Sequence, residues 1–127
     1  MQEKEKILED YDFLVAETDE GGFINYMSQS LCHMVEHEME DLTGKHYNDI
    51  IHPHMAGKLI SRIWDEVKRG SIWSGYLQYQ TNNKNYYWAY TTIFPFLTHD
   101  KKNAFITCSR KASTEEIREC KQSYNSI

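Results

Sequence analysis

Long apolar runs, clusters of basic residues and glycine-rich phosphate motifs are all missing from this chain, and each absence closes off a class of function. The opening residues, MQEKEKILEDYD, are charged, so neither a secretory signal nor a membrane span is expected. Fourteen Lys and Arg against nineteen Asp and Glu leave a net charge of −5. That balance, spread without a basic patch, argues against nucleic acid or a membrane surface as partner. No dinucleotide fingerprint, P-loop or nucleophile elbow occurs, nor any internal repeat. Cysteine is scarce: Cys32, Cys108 and Cys120 are odd in number and far apart. A disulfide framework or zinc site is therefore not expected, and a reducing cytoplasm is the expected location.

What is present is aromatic. Nine Tyr and three Trp raise the aromatic share to 13%, which suits sheets and flat pocket walls. With 127 residues, 40% of them hydrophobic, one core in one domain is expected. Residues 3–11 read as a short helix, with Ile7, Leu8 and Tyr11 on one face. A strand over 12–18 turns at Asp19-Glu20-Gly21-Gly22 into a second over 23–27. Ser28 suits the N-cap of a helix carrying Leu31, Met34 and Val35, and a helical turn over 39–44 stops at Gly44. After His52-Pro53, the spacing of Leu59, Ile60, Ile63, Trp64 and Val67 predicts a helix ending near Gly70. Strands follow over 72–81, 86–97 and 104–110. Ser113-Thr114-Glu115-Glu116 forms a capping box for a last helix from Thr114 toward Tyr124. The class is α+β, a five-stranded antiparallel sheet with helices on one face and a C-terminal exit helix. The division is a cap or linker over 1–11, a domain over 12–112 and a signalling helix or linker over 113–127.

Several short motifs fall in one order: Glu40-Asp41-Leu42-Thr43-Gly44-Lys45, His52-Pro53-x-Met55, Trp64, Val67-Lys68-Arg69-Gly70, Trp73-x-Gly75, Tyr87-Trp88 and Arg110-Lys111-Ala112-Ser113. In this order and spacing the chain resembles PAS domains, in particular the aerotaxis and energy-taxis sensors of bacterial chemotaxis. The resemblance runs from about Phe13 to Ile117. It implies a sensory, non-enzymatic domain that binds FAD without a covalent bond, senses redox state or oxygen, forms a homodimer and signals to a chemotaxis transducer or HAMP-type domain.

By resemblance, Trp73 and His52 border the flavin. The missing side chain of Gly75 would let a planar group approach the backbone. His54 stands where the family carries Asp in Arg-His-Pro-Asp-Met-Pro, which here reads Ile51-His52-Pro53-His54-Met55-Ala56. Ser28 and Tyr79 stand where the family carries Asn. These six residues are the candidate cofactor contacts, although loss of the arginine removes a cation suited to a pyrophosphate. A haem-binding PAS domain, with His33, His37 or His46 in the helical region, and a cofactor-free dimerisation and relay module are the alternatives. No metal site is expected. An enzyme using His52 or His54 as base lacks a recognisable partner, Asp49 being the one nearby acid. Cys108 is assigned no role. Along 86–97, Tyr86, Trp88, Tyr90, Thr92, Phe94 and Phe96 alternate with Tyr87, Ala89, Thr91, Ile93, Pro95 and Leu97, and either row could face the core.

Overall fold

A computed structural model describes residues 3–124. Residues 1, 2 and 125–127, the outer ends of the expected cap and signalling helix, lie outside the described residues. The elements are β1 Phe13–Asp19, β2 Ile24–Met27, α1 Gln29–Val35, α2 Met39–Leu42, a 3₁₀ turn Tyr47–Ile50, α3 Gly57–Lys68, β3 Trp73–Gln80, β4 Tyr86–Leu97, β5 Asn103–Arg110 and α4 Thr114–Tyr124. The strands form one antiparallel sheet in the order β2-β1-β5-β4-β3.

Local chemistry accounts for most of these boundaries. At the β1–β2 turn the Asp19 carboxylate accepts from the backbone N–H of Gly21 at 2.9 Å and of Phe23 at 3.0 Å. Gly22 takes φ +87°, a conformation that glycine adopts without steric cost. Thr81 Oγ1 accepts from Asn85 N at 3.0 Å and closes the β3–β4 hairpin. Leu59, Ile63, Trp64 and Val67 form the buried stripe of α3.

Strand alternation divides the sheet into two faces. Leu14, Ala16 and Thr18 of β1, Leu77 and Tyr79 of β3, Tyr87, Ala89, Thr91 and Ile93 of β4, and Phe105, Thr107 and Ser109 of β5 are buried. They face the core with Tyr47, Ile50 and the α3 stripe. Thus the smaller row of β4 points inward, and the bulky row lies half-buried on the other face. There Tyr76 and Trp88 stack with centroids 4.7 Å apart, and Leu8 and Ile117 come from outside the sheet to line the groove beside that pair.

The helix expected over residues 3–11 is absent. Instead Glu5 forms a parallel bridge with Tyr86. Lys6 N donates to Tyr86 O at 2.7 Å, and Tyr86 N donates to Lys4 O at 2.9 Å. The reason lies in register: β5 pairs with β4 only from Tyr90 onward, so the first residues of β4 have an open edge. The N-terminal segment fills it, burying Leu8, and this pairing outweighs a sparse helical pattern. Among the described residues no helix is long and apolar enough to cross a membrane.

Candidate functional site

A cluster of hydroxyl groups sits between the inner face and the 3₁₀ turn. Tyr47, Tyr79 and Tyr87 are almost wholly buried, at 1%, 0% and 0% exposure. The hydroxyl of Tyr79 is the hub, 2.8 Å from Tyr47 Oη, 2.6 Å from Thr91 Oγ1 and 3.4 Å from Ser109 Oγ. Thr91 and Ser109 are themselves 2.8 Å apart. Tyr87 lies against Tyr79 in a stack, centroids 5.1 Å apart and planes 14° apart. Burial pushes all three phenols above their ordinary pKa, so they remain neutral at physiological pH. The cluster offers neutral donors and acceptors, with no carboxylate or imidazole among its members.

The expected site residues divide into separate groups. Tyr79 is the centre of the cluster. Trp73 and Gly75 lie on the same inward row of β3, but a Cβ on Gly75 would come within 2.4 Å of the Trp73 ring and 2.6 Å of Tyr124 Oη. A planar group does approach this glycine, and it is the chain's own indole, joined by a phenol from α4. Burial raises the pKa of Tyr124 as well.

His52 is buried, yet both its ring nitrogens are engaged. Nε2 lies 2.7 Å from Glu3 Oε1, and Nδ1 accepts from His54 N at 3.0 Å. An accepting Nδ1 places the proton on Nε2, where it is donated to the carboxylate. The bond to His52 holds the Glu3 carboxyl below its ordinary pKa. His54 is exposed beside the His52 ring, at a centroid distance of 4.5 Å. Ser28 is a cap: its Oγ accepts from Val15 N at 3.0 Å and Leu31 N at 3.3 Å. The His52 ring packs toward Tyr86 of the outward row, and Ser28 joins β1 to α1, so neither belongs to the tyrosine cluster.

The histidines of the haem alternative are also placed elsewhere. His33 and His37 line a surface groove with Cys32 and Glu36. His46 accepts from Asn48 N at 3.0 Å and packs edge-on against Phe23 and Trp64. Among the described residues no group of His, Cys, Asp and Glu could hold a metal ion. A groove of about 390 Å³ opens over α3, lined by His46, Ile51, Met55, Ile60, Trp64 and Lys68 among others.

Comparison with known proteins places this architecture. A family model described as the PAS fold matches residues 24–110. The chain belongs to the PAS family. Over 120 residues this PAS domain is 23% identical to the aerotaxis receptor of Escherichia coli (strain K12), covering 94% of the chain and 24% of the receptor. It therefore spans about a quarter of that relative's length. The dark structure of the blue-light photoreceptor Aureochrome1 LOV superposes with a TM-score of 0.74 at 13% identity, covering 88% of this chain and 84% of that one. A PAS domain from Colwellia psychrerythraea gives 0.69 at 17% identity, covering 81% and 89%. These structural likenesses establish the fold.

A buried flavin does not fit the residues present. FAD needs an interior space of several hundred Å³ and donors for its pyrophosphate. Between the sheet and the helical layer stand Tyr47, Tyr79 and Tyr87, with Tyr79 in contact with the other two and Trp64 packed on Tyr47 and Phe105. Tyr79 and Ile51, which the resemblance sets where the family carries asparagine and arginine, are bridged backbone to backbone. The sequence reading missed Tyr47, Tyr87, Thr91, Thr107 and Ser109. Four of them lie on strand rows rich in hydroxyls, but the sequence left open which row faces the core, and Tyr47 lies on the 3₁₀ turn.

Proposed function

We propose that this PAS domain is a sensory relay and dimerisation module that works without flavin or haem. The observation carrying this reading is the hydroxyl cluster: tyrosine side chains, bonded to one another and to Thr91 and Ser109, occupy the interior beside the sheet. A side chain that completes the core removes the space a planar cofactor needs, and expelling it would break a fully buried hydrogen-bond hub. The absence of any acid or base in that cluster supports a non-enzymatic role.

The likeness to an aerotaxis receptor supports a place in a chemotaxis-type pathway, in the cytoplasm, with output to a transducer or signalling domain. The half-buried outward row of β4, with Phe94 and Phe96, is suited to a second protomer. Output would leave through α4, which the Arg110–Glu116 pair and Tyr124 tie to the sheet.

The absorbance spectrum of the purified chain tests this reading. The expected spectrum has the aromatic band alone. A flavin band in the blue or a haem Soret band, at stoichiometric intensity, would overturn it in favour of cofactor-based redox or oxygen sensing.

A further inference from the structure

We infer that residues 3–8 form a releasable strap that clamps the β3–β4 hairpin and, through His52, holds the hydroxyl hub in its packed arrangement. The inference rests on the cofactor-free relay reading above, to which it adds an input arm distinct from the exit helix.

Three sets of contacts fasten this segment. Glu3 Oε1 accepts from His52 Nε2 at 2.7 Å and, over a longer contact, from Gln80 Nε2 at 3.4 Å. On the open edge of β4, Lys6 N donates to Tyr86 O at 2.7 Å and Tyr86 N donates to Lys4 O at 2.9 Å. Lys6 Nζ donates to Met34 O at 2.9 Å and lies 3.5 Å from Glu36 Oε2, while the other oxygen of Glu36 accepts from Asn83 N at 3.3 Å. Gln80 ends β3, Asn83 lies in the turn and Tyr86 begins β4, so the segment grips both legs of the hairpin and its tip. Leu8 is its one buried side chain. A segment held by an isolated bridge, one apolar anchor and solvent-screened ion pairs opens at a lower free energy than the sheet it leans on. Residues 9–12, a largely exposed turn closed by Asp12 N to Glu9 O at 3.0 Å and Glu9 N to Asp12 Oδ2 at 2.9 Å, form its hinge.

Release does not stay local. His52 is 2% exposed, and its ring N–H loses its acceptor when Glu3 leaves. A buried donor without a partner is costly, so the segment that carries it must shift to reach water. That segment is paired to β3: His52 N donates to Gln78 O at 2.9 Å, and Ile51 bridges Tyr79, whose hydroxyl is the hub. On the opposite side of β3, Tyr86 precedes Tyr87, which stacks on Tyr79. The docked strap thus braces the backbone on both sides of Tyr79, and docked and released are the two arrangements between which an input chooses.

Native-state amide exchange on the full chain, in samples whose visible spectrum has been recorded, tests this. The amides of Lys6 and Tyr86 should exchange at least about tenfold faster than that of Thr91 in the β3–β4 ladder, with little dependence on low urea, as local opening requires. Glu3→Ala should speed exchange at Lys6 and Tyr86 about fivefold, speed it at His52, and shift the ring resonances of Tyr79. The amide of Asp19, bonded to Phe23 O in the β1–β2 turn, should be unchanged. Lys6 and Tyr86 exchanging at the rate and urea dependence of Thr91 would overturn the strap. Faster exchange there with His52 and Tyr79 unmoved would overturn its hold on the hub. Should Glu3→Ala fail to fold, Lys6→Met removes the other ionic anchor, and Tyr86, His52 and Tyr79 report the same outcomes. A visible cofactor band would instead overturn the cofactor-free reading, whatever the exchange rates, so the two failures are distinguishable.

Discussion

Replacing Tyr79 by Phe probes the hub directly, because the ring and its packing remain while one oxygen is lost. That oxygen makes short contacts to Tyr47 at 2.8 Å and Thr91 at 2.6 Å, and a long one to Ser109 at 3.4 Å. Each short bond between neutral groups contributes about 1 kcal/mol net. Thr91 and Ser109 still have each other at 2.8 Å, whereas Tyr47, at 1% exposure, loses its partner. Its orphaned hydroxyl adds about 1–2 kcal/mol. The expected destabilisation is thus about 3 kcal/mol. With a urea dependence of about 1.5 kcal/mol per molar, the midpoint falls by roughly 2 M at unchanged slope. Tyr26→Phe, at a site 47% exposed, serves as the control and should shift stability by less than about 0.5 kcal/mol. A Tyr79→Phe change no larger than that of the control would refute the hub.

Two further outcomes concern α4. Gly75→Ala puts a methyl within 2.4 Å of the Trp73 ring and 2.6 Å of Tyr124 Oη, and should cost about 1–3 kcal/mol while increasing amide exchange near Tyr124; unchanged exchange there would remove the contact from the account. Glu116 is held down to about 2, first by its hydrogen bonds to Arg110, at 2.7 and 2.9 Å. Because its folded pKa is depressed, this contribution is present above the ordinary carboxylate value and is lost as pH falls from about 4.5 toward 2. With the Arg110 side chain 46% and the Glu116 side chain 22% accessible, the pair is screened by solvent and is worth no more than about 1 kcal/mol. Faster amide exchange in α4 at pH 3 than at pH 7, once corrected for intrinsic rates, checks this, and Glu116→Gln should abolish the difference.

The elements written in local chemistry were legible in the sequence. Ser113 and Glu116 form the expected capping box, with Ser113 N to Glu116 Oε1 at 2.9 Å and Glu116 N to Ser113 Oγ at 3.1 Å. The apolar spacing of α3 and the polar turns between consecutive strands also sufficed, since each acts within a few positions of itself. Long-range pairing was not legible. Residues 3–11 follow the open edge of β4, a consequence of where β5 stops, and no local pattern encodes it. Tyr47 and Tyr79 meet across 32 positions. Tyr79 stood out as a substitution for asparagine, but whether it lines a space or fills one depends on Tyr47, which offered no motif. His52 was similarly ambiguous, because its partner Glu3 sits 49 positions away in a segment expected to be helical.

The Trp73-Ser74-Gly75 pattern gains a different physical meaning from these contacts. On the resemblance alone, the glycine is a place where a ligand ring meets the sheet. In this chain the same notch receives the indole of Trp73 and the hydroxyl of Tyr124. β3 is the edge strand, so its free side admits a side chain reaching over from α4. Tyr79 lies four residues along the same inward row, and its hydroxyl binds Thr91 and Ser109 on the next two strands. One row of β3 therefore joins the buried hub to the exit helix through contacts within the chain. A displacement of β3 large enough to disturb the hub must also move Gly75 against Tyr124, because close-packed contacts at this range have no slack to absorb it. Mechanical coupling between the hub and α4 is thus available from tyrosine, tryptophan and a glycine that leaves room for both.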